Sequence, residues 1–331
     1  MPLSWIWKIC VSGFLLMPFI FFGKDKDSSA IKDFRNNKVV YADLGYTTAP
    51  FWIKYPFRPE LGQIAYKNNY RPFLGLGFAY KWFSLRVAFP VLSFLRPDEK
   101  YGTTRQFGLG VDYTIKKTFL DAEFLTVRGY AVRGANRWDS SLVAPQTNSF
   151  KPSLLAYNVT LNAWYFADKD FKMNALLGKR AHYLKQVHTW YLKGTFNIFG
   201  LDNGTTAIIP NQLANPSNSK TSATSWSAID IGAVPGYAYV NRFNNWQVAG
   251  WFGFGGVIQS KFYQFENENR GFLGLAPRYD IRFMGGYSSD KLFVFLNTDF
   301  DNKSIRFNDL LYRQFFYSMK IVAGYRFPSK K

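Results

Sequence analysis

Cysteine is almost absent: Cys10 is the only one in 331 residues. It lies in a segment that reads as removable, so the mature chain is expected to have neither a disulfide nor a thiolate metal site. Its neighbours Lys8 and Ile9 do not form a lipoprotein box. Histidine is nearly as scarce, with His182 and His188 alone, and their spacing fits no familiar metal-ligand pattern. Neither a metal nor a cofactor is expected. Acidic residues are few, 22 against 41 Lys and Arg, which gives a formal net charge of +19. Such a balance suits nucleic acid, anionic lipid or acidic solutes. The cations are scattered through aromatic segments and no nucleic-acid motif is present, so nucleic acid is not an expected partner. After the N-terminus there is no apolar run of about 18 residues, the length a membrane helix needs. Mean hydropathy is −0.17, which also argues against a helical membrane bundle.

Aromatic residues, by contrast, are in excess: 34 Phe, 21 Tyr and 10 Trp make up 20% of the chain. A soluble core does not need that many, whereas a membrane–water boundary holds them well. The N-terminus reads as an export signal over residues 1–23. Lys8 supplies the positive region, Ile9 to Phe22 the apolar one, and Gly23-Lys24-Asp25-Lys26 a sharp polar turn. A periplasmic lead is expected over 24–38, a barrel over 39–327 and a short basic tail over 328–331.

The main structural signal is period-2 alternation. Leu74, Leu76, Phe78 and Tyr80 alternate with Gly75, Gly77, Ala79 and Lys81. Phe107, Leu109, Val111 and Tyr113 alternate with Gly108, Gly110 and Asp112. Successive strand residues point to opposite faces, so each segment has one large apolar face and one of glycine, small polar or charged residues. Glycine on the polar face favours a barrel interior over the solvent face of a sandwich, because a curved closed sheet crowds its inside. Gly75-Leu76-Gly77 and Gly108-Leu109-Gly110 therefore read as lumen packing, not as phosphate loops, which need a helix to follow.

Strands are expected near 39–47, 73–81, 84–90, 105–115, 119–127, 155–166, 171–179, 189–199, 226–242, 246–258, 279–288, 291–299 and 315–327. That total is odd, and a short strand at Thr205–Ile209 restores alternation. The expected fold is all-β: an antiparallel transmembrane β-barrel of about 14 strands, with 12 as the alternative, since bacterial barrels are even-numbered. Short turns belong to the periplasmic side and longer connections, including 180–188 with its histidines and 259–278, to the outside. The last strand carries an aromatic face with Phe315, Tyr317, Tyr325 and Phe327, the kind of signal that barrel-assembly machinery reads.

Several stretches bear a family resemblance: Pro72-Phe-Leu-Gly-Leu-Gly-Phe-Ala-Tyr-Lys-Trp82, Val127-Arg-Gly-Tyr130, Trp164-Tyr-Phe-Ala-Asp-Lys-Asp-Phe-Lys172, Pro235-Gly-Tyr-Ala-Tyr239 and Gly324-Tyr-Arg-Phe327. In their order they resemble an uncharacterised family of Bacteroidota outer-membrane proteins, catalogued as a domain of unknown function. The resemblance covers most of the chain from about residue 70 onward. It implies a barrel in the outer membrane of a Gram-negative bacterium and no known activity, so no catalytic residue carries over.

The expected lumen charges are Asp112, Asp121, Glu123, Asp280 and Asp299 with Lys81, Arg86, Lys193, Arg282 and Arg326. They read either as a salt-bridge network that fills the barrel or as a cation-lined pore for anionic solutes. Lys and Arg near strand ends suit phosphates of outer-membrane lipid and lipopolysaccharide. The leading function is a non-enzymatic structural, assembly or binding role, followed by a diffusion channel for small anionic solutes. An outer-membrane lipase or protease using His182 or His188 is the third.

Overall fold

The computed structural model describes residues 30–54, 63–96, 98–115, 118–142, 148–215, 217–266, 268–307 and 310–328. The expected signal segment 1–23 and the end of the basic tail lie outside the described residues.

Hydrogen bonds pair most strands antiparallel with the next long strand in chain order. The strands are β1 (Ile31–Asp33), β2 (Lys38–Thr48), β3 (Phe51–Lys54), β4 (Gln63–Lys67), β5 (Pro72–Tyr80), β6 (Phe83–Pro90), β7 (Arg105–Ile115) and β8 (Thr118–Val132). They continue with β9 (Ser149–Phe166), β10 (Ala181–Tyr183), β11 (Val187–Asp202), β12 (Ser225–Phe243), β13 (Trp246–Phe265), β14 (Glu268–Ser288), β15 (Leu292–Arg306) and β16 (Leu311–Phe327). One sheet of 14 strands contains all but β1 and β10. Within it, β2, β5 to β9 and β11 to β16 close a ring of twelve antiparallel strands, with β16 on β2 as the closing pair. The alternative count of 12 therefore holds for the ring. The other two strands, β3 and β4, cross between β16 and β8 at the end carrying the long connections.

The outward faces form an apolar belt. On β13 the exposed apolar positions run from Trp246 to Ile258. Twelve steps of about 3.3 Å, tilted by about 40°, rise roughly 30 Å, which matches a bilayer core. Aromatic pairs ring the end with short turns: Trp190 with Tyr237 at 5.1 Å, Trp246 with Tyr287 at 5.9 Å, and Trp82 with Tyr113 at 4.5 Å. Inside, glycine makes room for large side chains. A Cβ at Gly77 would enter the Tyr41 ring, and one at Gly236 would enter the Tyr191 ring.

Four expectations about the elements are corrected. Residues 171–179 are not a strand: they form a short helix, α1 (Met173–Leu176), and a loop. Removing that strand makes the count even, so the short strand expected at Thr205–Ile209 is not needed, and it is not formed: those residues are turn and loop. Segment 180–188 consequently lies at the short-turn end rather than outside. Segment 259–278 is not a loop either, because β13 and β14 pair as far as Phe265–Glu268.

Candidate functional site

Apolar side chains close the barrel from inside at both ends. At the short-turn end, β1 pairs with β10, and this small sheet packs with α1 in the mouth. Phe171, Met173, Leu176 and Tyr183 are buried there against Trp164, Phe166 and Phe295 of the wall. Polar pins hold this plug. Gln247 donates to Ala175 O at 3.0 Å and Leu176 O at 3.1 Å, and accepts from Tyr183 N at 3.2 Å. Lys32 of β1 meets Asp290 of the β14–β15 turn at 2.7 Å. At the other end, Phe51, Ile53, Ile64 and Tyr66 of the β3–β4 pair bury against Trp226, Ile208, Ile209 and Tyr312. The face-to-face stack of Phe51 on Tyr66, 4.4 Å between centroids, fixes that hairpin.

Between the plugs lies a charged chamber of roughly 200 Å³. Charges removed from bulk water need partners, and most here have them. Arg86 binds Asp43 with two bonds of 2.6 Å. Asp280 accepts from Lys193 at 3.3 Å, from Tyr191 at 3.0 Å and from Trp164 at 3.4 Å. Arg282 lies 3.4 Å from Asp280 and 3.7 Å from Asp299. Asp112 pairs with Arg180 and, at 3.7 Å, with Lys179. Asp121 and Glu123 also line the chamber, where Asn162 donates to Asp121 at 3.4 Å. Neither of these two carboxylates has an ion pair among the described residues.

Eight of the ten expected lumen charges thus meet here: Arg86, Asp112, Asp121, Glu123, Lys193, Asp280, Arg282 and Asp299. The other two lie elsewhere. Lys81 is exposed in the β5–β6 turn with φ 50°, because that tight turn takes the residue out of the alternation. Arg326 is fully buried but belongs to the plug, where it donates to Gly178 O, Lys179 O, Ser289 O and the Ser288 hydroxyl. Asp43 was legible from its place between Tyr41 and Gly45 on the inward face, yet sequence reasoning passed over it. Lys179 and Arg180 come from a connection folded into the barrel, which no periodicity marks.

The histidines do not form a rim site. His182 is 3% exposed in the plug, with Nδ1 3.2 Å from the Ser288 hydroxyl and its ring edge-on to Phe34. Burial, with Arg242 and Arg326 nearby, pushes its pKa down to about 3. Ser288 is wholly buried and already receives Arg326, so the pair offers no surface to a substrate. His188 is exposed on β11 beside Tyr237.

Among solved structures, the chain is similar to an outer-membrane channel of Pseudomonas putida F1, at 11% identity over 92% of this chain and 99% of that one, TM-score 0.36. It is also similar to the β domain of the Bordetella autotransporter BrkA, at 9% identity over 89% and 100%, TM-score 0.38. The toluene transporter TodX of Pseudomonas putida matches at 9% identity over 89% and 91%, TM-score 0.29. Overlays this loose transfer no activity, and the ring closure itself defines the fold. No curated protein matches the chain in sequence. Residues 25–327 match the domain of unknown function DUF4421, and the chain belongs to that family.

Proposed function

We propose that this protein is an integral barrel of a Gram-negative outer membrane with a structural or binding role, and that it does not conduct. The observation that carries this reading is the pair of apolar plugs on either side of the charged chamber. An apolar constriction excludes ions even where the space beyond it is polar. The height of the belt and the aromatic ring at its short-turn end support the membrane address. In that setting the short turns, the start of β2 and the end of β16 face the periplasm.

The alternative of a channel for anionic solutes is less well supported by the chamber, whose lining has seven carboxylates against five Lys and Arg. A lipase or protease role has no support from His182, which is sealed in the plug. On β16, Tyr317, Tyr325 and Phe327 are exposed on the outward face that also carries Phe315, as a signal for barrel-assembly machinery would require. Planar-bilayer recording tests the reading. Purified wild-type barrel is expected to give no ion-sized steps, and regular conductance steps would restore the channel. Heat-modifiable gel migration with membrane fractionation tests the address, since a mature chain soluble without detergent contradicts it.

A further inference from the structure

Above the Ile281–Phe300 pair the barrel wall separates. β14 stays paired with β13 up to Glu268, and β15 with β16 up to Arg306. β14 and β15, however, pair only from Ile281–Phe300 to Ser288–Phe293. The outer part of β15 leans into the lumen instead. Its Lys303 reaches Asn158 at 2.6 Å and Thr160 at 3.0 Å on β9, five places away round the ring.

Side chains take the carbonyls that a continued ladder would use. Arg278 donates to Asn302 O at 2.7 Å, Gln259 to Ser304 O at 3.0 Å, and Lys261 to Arg306 O. The peptide N–H of Tyr279 goes to the Asn302 side chain at 3.1 Å. Pro277 is two residues further along the same edge. Alternate residues of a strand turn their N–H toward the same neighbour, so the donor that proline lacks is one that β15 would have accepted. The separation is therefore written into the sequence.

The slit has an amphiphilic profile. Leu275 and Leu273, at 84% and 78%, are the most exposed large apolar side chains among the described residues, and both lie on the half of β14 that has left β15. Leu275 sits opposite Ile258, at the outer limit of the apolar belt. Just beyond, Lys261 reaches from the lumen-side face of β13 to Arg306 O at the slit, and neither Lys261 nor Arg306 has an ion pair among the described residues. An acidic headgroup at that depth would neutralise both cations while its chain covered the leucines.

We propose that the slit binds a phosphorylated glycolipid of the outer leaflet, with phosphate on Lys261 and Arg306 and an acyl chain along Leu273 and Leu275. This rests on the outer-membrane reading above. A free anion would leave the leucines bare, and an added strand would meet the missing donor of Pro277.

Native mass spectrometry of the full chain in mild detergent, titrated with lipid A, tests it, with phosphatidylethanolamine and inorganic phosphate as separate probes. One lipid A adduct is expected. The double variant Lys261→Gln/Arg306→Gln should bind about twenty-five-fold more weakly, roughly fivefold for each cation removed. Leu275→Ser, which leaves both cations in place, should also weaken binding. Arg270→Gln, at an exposed cation already paired with Glu268 at 3.0 Å, should bind like wild type. Equal binding by wild type and the double variant overturns the proposal. So does equal binding of phosphatidylethanolamine or phosphate, or a mass of two chains without lipid. A wild-type chain soluble without detergent removes the membrane reading itself, whereas a detergent-dependent barrel that ignores lipid A overturns the slit site alone.

Discussion

Replacing Arg326 by methionine keeps much of the side-chain volume and removes every donor. The guanidinium serves Lys179 O at 2.8 Å, the Ser288 hydroxyl at 2.9 Å, and Gly178 O and Ser289 O at close range. Phe34 and Phe293 flank it, 4.5 and 4.8 Å from its central carbon, so water has no ready route to the stripped carbonyls. A buried acceptor left unpaired costs about 1–3 kcal/mol. Three carbonyls are affected, but the loop carrying two of them can relax, so a net loss of about 3–5 kcal/mol is expected. The loss should fall mainly on the plug, because Arg326 ties the loop after α1 to the β14–β15 turn. Urea unfolding of the detergent-refolded barrel, followed by tryptophan fluorescence, measures the global part. Amide hydrogen exchange around Leu176–Tyr183 measures the local part: it should speed up in the variant, while the separate plug at β3 and β4 keeps the membrane silent. A loss below about 1 kcal/mol together with unchanged exchange would show that these bonds do not hold the plug.

The same unfolding assay covers further changes. His182 has a folded pKa near 3 against about 6.5 unfolded, so below pH 6.5 the unfolded chain binds the extra proton and stability falls with pH. Wild type should lose about 1 kcal/mol between pH 6.5 and 5.5 relative to His182→Gln, and parallel pH profiles would refute the assignment. Gly77→Ala drives a methyl into the Tyr41 ring, whose hydroxyl lies 3.2 Å from that of Ser84, and should cost about 1–3 kcal/mol. Gly110→Ala, with nothing within 4 Å of the added carbon, should stay within about 0.5 kcal/mol of wild type. Arg86→Met strands the buried Asp43 carboxylate and should cost about 3–5 kcal/mol, most of it recovered in the double variant with Asp43→Asn.

Alternation could be read wherever one face of a strand joins the outer apolar belt, and it placed the ring strands β2, β5, β7 and β16 closely. It failed where both faces are covered or both are wet. Around Phe171, Met173 and Leu176 the apolar spacing looks strand-like, but these side chains face other apolar side chains inside the barrel, and a buried loop has no period to keep. That false strand then demanded another at Thr205–Ile209. In 259–278, Lys261, Glu266, Arg270 and Gly271 looked like loop because β13 and β14 rise beyond the belt, where ladder bonds no longer need an apolar face. Chamber charges carried on strands were placed by parity, whereas Arg180, from a tucked connection, had no local signal.

The aromatic excess gains a second cause from the fold. Trp190, Tyr165 and Trp246 lie outside at the belt's edge, as interfacial rings should. Trp164, Trp226, Tyr66 and Phe199, among the largest fully buried side chains, are inside instead. A twelve-strand ring is too wide for wall side chains alone to fill, so large rings and folded-in connections must supply the volume. The same bulk leaves the charged middle layer little contact with bulk water, which is why most of its members pair. Aromatic plugs and paired charges are thus two consequences of one requirement, that a ring of this width be filled rather than open. An open pore would relax both: the plug rings would be exposed to water, and the chamber charges would no longer depend on one another.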